Sequence, residues 1–246
     1  MVAPRTALRR LRERLPLVRQ LAPAWFDEGR FIIQRPAFER LTAGAPLRGR
    51  VLNAGCGEGL YARFLEGFQE VNEIVNMDLC QPAVAARRQD PRHRDVRGSL
   101  TELPFETGAF DCCLCSEVLE HIPDDGRAAS ELARCIKDGG LLLVSVPTPP
   151  APRDENHVRE GYTFDELEKL LKTSGFEIVS RSYCMHGLSR FLYSAWQAQN
   201  AIFGQNLFPR AALRGLAKLD RAMPLGPPWD LVVLARRQIR QEADAA

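Results

Sequence analysis

The chain reads as a doubly wound α/β fold, a mostly parallel sheet covered by helices on both faces. Three observations predict it. Short apolar runs alternate with helical stretches from Arg50 onward, a glycine loop directly follows the first of those runs, and after Pro147 the order changes to a helix and two further runs. At 246 residues the chain can bury a full core, and its length favours one large domain with additions.

Each element has its own signal. Residues 1–45 form an N-terminal helical extension in two parts. In the first, Leu8, Leu11 and Leu15 recur at helical spacing among Arg5, Arg9, Arg10, Arg12, Arg14 and Arg19 until Pro16 interrupts. That stretch suits either an anionic membrane surface or a helix laying its leucines on the domain. A second helix is predicted from about Asp27 to Leu41. Strands follow at 50–54, 72–77, 94–98, 110–115 and 141–146, with helices between them, the first over 60–65. Thr163 and Glu166 form a capping box, and Leu167, Leu170 and Leu171 supply the apolar stripe of the helix it opens. A strand is predicted over 176–183 and a last one over about 230–235.

Between those last strands, residues 184–228 are too many for a hairpin loop. Phe191, Tyr193, Trp196, Ile202, Phe203 and Phe208 make the segment aromatic, and Leu213, Leu216, Leu219 and Met223 continue at helical spacing. It reads as a two-helix cap: a cover for an apolar or lipid-linked acceptor, a membrane contact, a dimer face, or simply packing on the domain. The division is therefore 1–45, a core over 46–183, the cap over 184–228, and the last strand with its tail over 229–246.

Composition excludes several classes. A net charge of +2 gives no general pull toward nucleic acid. Seven cysteines without framework spacing read as reduced thiols, and no run approaches the ~18 apolar residues of a membrane span. The expected location is the cytoplasm, with peripheral membrane contact left open.

Chemistry concentrates at Val51-Leu52-Asn53-Ala54-Gly55-Cys56-Gly57-Glu58-Gly59. Glycines there let the backbone adopt positive φ and bring main-chain N–H groups close to a ligand. Asp78 ends the next apolar run, where a carboxylate accepts from ribose hydroxyls. Together they point to an adenosine-containing cofactor. The G-x-G-x-x-A frame at Gly57 also admits a nicotinamide fingerprint, but it ends the strand in the wrong place, and the frame at Gly55 meets Leu60 where glycine or alanine is needed.

With VLNAGCGEG, NMDLC, GSLTELPFETGAFD, SEVLEHIPD and GGLLLVSVP followed by GYTFDELEKLLKTSGFE, the stretch from about Arg50 to Tyr183 resembles the class I S-adenosylmethionine-dependent methyltransferases, in particular the small-molecule group that includes ubiquinone-biosynthesis enzymes. The resemblance implies a Rossmann-like seven-stranded sheet whose sixth and seventh strands are an antiparallel hairpin at one edge. It also implies S-adenosylmethionine as cofactor. Gly55, Cys56, Gly57 and Gly59 would approach its methionine part, Asp78 would hold the ribose, and Leu79 would pack on adenine. Ser99 and Leu100 would lie beside the adenine, with Ser116 and Glu117 at the sulfonium end. Two positions depart from the pattern: Ser99 stands where an aspartate is common, and Asn53 where an acid usually helps place the amino group.

The implied reaction is in-line attack of a nucleophile on a sulfonium methyl, a task chiefly of positioning. Candidates for proton removal are His157, which shares a polar segment with Arg159 and Tyr162, and His121. Cys112 and Cys115 have C-x-x-C spacing, but on a strand they point to opposite faces, so no metal is expected from them or elsewhere. Methyl transfer to a small-molecule or lipid- or saccharide-linked acceptor, O-methylation favoured, is the leading reading. A nicotinamide oxidoreductase and a catalytically silent binding protein stay as alternatives. The acceptor and the oligomeric state are not legible.

Overall fold

The structure is a computed structural model that describes residues 28–82, 84–151, 156–203 and 210–239. The basic stretch before Pro16 lies outside the described residues, as do Phe208 and the side chains of Trp196, Ile202 and Phe203.

In chain order the elements are α1 (Glu28–Thr42), β1 (Gly49–Ala54), α2 (Ala62–Glu66), β2 (Val71–Asp78), α3 (Val84–Arg87), β3 (His93–Arg97), β4 (Phe110–Ser116), a 3-10 turn over Leu119–His121, α4 (Asp125–Cys135), β5 (Ile136–Pro147), α5 (Phe164–Thr173), β6 (Phe176–Cys184), α6 (Gly187–Phe203), α7 (Arg210–Ala222) and β7 (Asp230–Arg237). The strands form one sheet in the order β3-β2-β1-β4-β5-β7-β6. Pairings among β1 to β5 are parallel, while β7 runs antiparallel to both β5 and β6. This is the doubly wound, mostly parallel seven-stranded sheet that the sequence predicts.

Strand alternation sends side chains to two cores. On one face Leu52, Val75, Cys113, Leu142 and Val233 pack with Leu132 of α4 and Leu167 and Leu171 of α5. On the other, Val51, Ile74, Cys112, Leu114, Leu143 and Val232 pack with Phe31, Phe38 and Leu41 of α1 and Phe64 and Leu65 of α2. Cys112 and Cys115 therefore do lie on opposite faces, and all seven cysteines are free thiols.

Boundaries agree with the sequence to within a residue or two, except that β5 starts five residues earlier, at Ile136, beyond the left-handed Gly139 (φ 76°). The capping box forms as predicted: Glu166 N–H donates to Thr163 Oγ1, and Thr163 N–H donates to the Glu166 carboxylate at 2.8 Å.

Helix α1 has no single apolar stripe because it is covered on two sides. Phe31, Phe38 and Leu41 face the sheet, whereas Ile32 and Ile33 meet Met185, Tyr193, Leu213 and Ala217 of the β6–β7 connection. That connection is two helices held together by a buried carboxylate: Asp220 of α7 accepts from the N–H groups of His186, Leu188 and Ser189 at the start of α6. It thereby satisfies donors that a helix N-terminus leaves open. Among the described residues, no helix is long and apolar enough to cross a membrane.

Candidate functional site

The strand order turns back between β1 and β4, and a doubly wound sheet offers its crevice at the carboxyl ends of the strands beside such a reversal. The glycine loop begins there. Gly55, Gly57 and Gly59 all have positive φ, at 65°, 50° and 80°, so the alternating glycines are a conformational requirement. They serve different ends. A Cβ on Gly55 would collide with the Val118 side chain, and one on Gly59 with Val84, so both allow close internal packing. A Cβ on Gly57 would meet nothing within 4 Å, so its bare backbone faces open space.

Asp78 at the end of β2 reaches this loop directly. Gly57 N–H donates to Asp78 Oδ2 at 2.8 Å, and Cys80 N–H donates to Oδ1 at 3.0 Å. Cys56 N–H donates to Met77 O, which ties the loop to β2 a second time. Leu79 projects beside the carboxylate with 68% of its surface exposed, an uncovered apolar side chain next to a polar cradle. Gly98 N–H donates to Asp78 O, bringing the Ser99–Leu100 turn alongside. The Ser99 hydroxyl is engaged within that turn, 2.8 Å from Thr101 Oγ1, and Leu100 is buried.

Asn53 lies elsewhere. Its buried Nδ2 donates to Asn76 Oδ1 at 3.0 Å, and Asn76 Nδ2 donates onward to Asp95 Oδ1 at 3.1 Å, whose carboxylate in turn accepts from Ala85 N–H at the start of α3. This polar ladder across β1, β2 and β3 gives an amide at position 53 a structural use that an ionised carboxylate, having no hydrogen to donate to Asn76 Oδ1, would not serve.

Beyond the loop, the end of β4 carries a second cluster. Ser116 Oγ lies 2.6 Å from Ser145 Oγ, and Ser145 donates to Glu117 Oε1 at 2.9 Å. Glu117 itself has φ 57°, a backbone strain rare outside glycine and concentrated at functional sites. Its carboxylate accepts from Gln34 Nε2 at 3.2 Å and pairs with Arg30, which also pairs with the fully buried Asp230 at the start of β7. Tyr61, two residues after Gly59, donates its hydroxyl to Gln34 Oε1. Burial, then the neighbouring Asp230 against the counter-pull of Arg30, pushes the Glu117 carboxyl up to about 7. Arg30, Gln34, Tyr61, Ser145 and Asp230 went unnoticed in the sequence, although a glutamine inside Phe31-Ile32-Ile33-Gln34 and an acid opening an apolar strand are both out of pattern.

His121 and His157 come together. Their rings meet edge to face at 4.6 Å between centroids, and Val158 N–H donates to Glu120 O, so the segment after β5 folds back over the turn after β4. His157 is buried and His121 half-exposed. Glu120 beside them is 0% exposed, and burial together with the charge of Glu117 holds its carboxyl well above the usual range. Tyr162 is an anchor for this segment: fully buried, it donates to Leu119 O and to Asp125 Oδ2, while Arg159 stacks on its ring and pairs with Asp125 at 2.9 Å.

The glycine loop with Asp78 and Leu79, the Glu117 cluster and the two histidines follow the ends of β1, β2, β4 and β5. Residues 52–144 match a family model described as a methyltransferase domain. A probable S-adenosylmethionine-dependent methyltransferase of Mycolicibacterium smegmatis is 32% identical over 171 residues, 66% of this chain and 63% of that protein. A ubiquinone biosynthesis O-methyltransferase of Xanthomonas oryzae pv. oryzae is 28% identical over 171 residues, covering 60% and 68%. The chain thus spans less than two thirds of the mycobacterial relative's length. Among solved structures, the Burkholderia thailandensis 1,6-didemethyltoxoflavin-N1-methyltransferase with bound S-adenosylhomocysteine is similar at a TM-score of 0.58 and 23% identity, over 97% of this chain and 92% of that one. That level of identity speaks to the fold.

Proposed function

We propose that this chain, similar over much of its length to S-adenosylmethionine-dependent methyltransferases, moves the sulfonium methyl of that cofactor to a small-molecule or lipid- or saccharide-linked acceptor, with an acceptor oxygen favoured. The observation that carries this reading is the pairing of Gly57 N–H with Asp78 below the open space where a Cβ on Gly57 would stand. A backbone bare at that point and a carboxylate with two lone-pair sites still free fit a ligand with a diol and a charged chain.

In this reading Asp78 accepts from the ribose hydroxyls and Leu79 covers one face of the adenine. Leu100 closes the adenine edge, and Ser99, held by Thr101, offers a hydroxyl oxygen in place of a carboxylate. Gly55, Cys56, Gly57 and Gly59 shape the loop against the amino-acid part, with Ser116 and Glu117 at its reactive end. Asn53 acts indirectly, keeping the end of β1 in register with β2 through Asn76. The bound cofactor supplies an activated methyl, so the protein's work is alignment and exclusion of water. The new O–CH3 bond forms as the S–CH3 bond breaks, sulfur keeps the electron pair, and the acceptor's hydroxyl proton leaves by way of His157 and His121. The two helices of residues 184–228, with α1 beneath them, form the cover on the acceptor's side. Exposed Phe191 on α6 and Met223 just after α7 suit an apolar or lipid-linked acceptor.

Calorimetry with S-adenosylmethionine, S-adenosylhomocysteine and nicotinamide dinucleotides tests the class. One-to-one binding of the two sulfur nucleosides is expected; tighter binding of a nicotinamide compound would overturn it, and no binding would favour a silent protein. Labelled methyl donor supplied to fractionated lysate identifies the acceptor.

A further inference from the structure

We propose that Glu120, His121 and His157 form a binding site for one divalent transition cation, open to an acceptor oxygen at the reactive end of the crevice. The site rests on four observations. First, one ligand atom from each residue lies within 4.8 Å of the others. A cation about 2.1 Å from each would draw them to roughly 3–4 Å apart, a contraction within reach of side-chain rotation.

Second, His121 turns a ring nitrogen toward Glu120. His121 Nδ1 lies 3.1 Å from Asn156 O. A carbonyl only accepts, so Nδ1 carries the hydrogen and Nε2 presents a lone pair. That lone pair faces Glu120 Oε1 at 3.9 Å. At that separation the two side chains make no hydrogen bond to each other. The backbone carbonyl behind His121 is the kind of outer partner that fixes a ligating imidazole.

Third, Glu120 is fully buried, and neither of its carboxylate oxygens accepts a hydrogen bond from the described residues. A buried carboxyl stays neutral, pairs with a charge or binds a metal, and the oxygens of this one are open to the third. Fourth, the neighbouring Glu117 carboxylate has its own oxygens occupied by Arg30, Gln34 and Ser145. That leaves three protein ligands rather than four, the count of a site that keeps a position for substrate. His121, with 37% of its side chain exposed, gives the cation a way in.

Two nitrogens and one carboxylate oxygen suit manganese through zinc better than magnesium or calcium, which prefer oxygen alone. The site adjoins the glycine loop, since Val118, packed against Gly55, stands two residues before Glu120. A cation here would hold the acceptor's hydroxyl oxygen beside the methyl donor and ease loss of its proton to water; the histidines would then act as ligands in place of bases. This deepens the methyl-transfer reading and depends on it for the identity of the oxygen. It also departs from the sequence expectation of no metal.

The full chain, stripped with a chelator, is titrated with cobalt(II) and followed by visible absorption and by calorimetry, with S-adenosylhomocysteine binding measured in parallel. One equivalent of cobalt without thiolate-to-metal absorption is expected, displaced by zinc and weakened about tenfold or more in H121N, E120Q and H157N. Because His121 is half-exposed, H121N keeps the test valid if a buried variant misfolds. Cobalt uptake unchanged in H121N, or none at millimolar cobalt, overturns the site. If the nucleoside still binds, only the cation is lost; if it too fails to bind, the methyl-transfer reading falls with it.

Discussion

Replacing Asp78 by alanine isolates the contribution of one carboxylate to cofactor binding. An ionised carboxylate offers about four lone-pair sites. Two are already used, by Gly57 N–H and Cys80 N–H, so two remain for a diol. Each bond to a charged acceptor contributes about 1.5–3 kcal/mol, but this one faces solvent, and hydroxyls without a partner regain water. The net loss is therefore nearer that of one full bond, about 1.5–3 kcal/mol, or about 10- to 150-fold in Kd. Asp78→Asn retains an oxygen for the Gly57 amide and loses the charge, so its loss should fall below that of alanine. The assay is calorimetric titration with S-adenosylhomocysteine, with a thermal melt of each variant to confirm the fold. Affinity of Asp78→Ala within twofold of the native protein, with the melt unchanged, would refute the ribose role.

Other expectations follow from the same geometry. Gly57→Ala should lose about 1–2 kcal/mol of stability from its left-handed backbone alone, whereas Gly59→Ala adds a clash with Val84 and should lose more; paired thermal melts compare them. Arg30→Ala leaves Asp230 and Glu117 buried without their cation and should cost about 3 kcal/mol, read by urea unfolding. Glu131 accepts from Arg134 and from Leu103 N–H, and the Arg134 bond first of all holds its carboxyl below 4.5, so the folded state binds that proton less tightly than the unfolded one. Its stabilisation is therefore present above pH 4.5 and is lost as pH falls, and the gap in stability between the native protein and Glu131→Gln should close on acidification.

Much of this was legible along the chain because it is local. Apolar runs such as Val51-Leu52 and Leu142-Leu143-Val144 name buried strands by themselves, and Thr163 with Glu166 names a helix start by hydrogen bonds spanning three residues. The positive φ of Gly55, Gly57 and Gly59 likewise follows from their spacing after a strand. Division of labour among them did not, because it depends on Val118 and Val84. Arg30 and Gln34 reach Asp230 across about two hundred positions, a distance at which no periodicity signals contact. Asn53 illustrates the same limit: it stands at a family position for an acid, and only the ladder through Asn76 and Asp95 gives an amide there a reason. Glu120, His121 and His157 gather only when the segment after β5 folds over the turn after β4.

A crystal of the full chain grown with S-adenosylhomocysteine bears most directly on the central claim. The account predicts the ribose hydroxyls on the Asp78 carboxylate, the adenine against Leu79, and the amino-acid chain passing over Gly57. Density for the nucleoside at any other place on the molecule, or a glycine loop filled by the protein's own side chains, would contradict it.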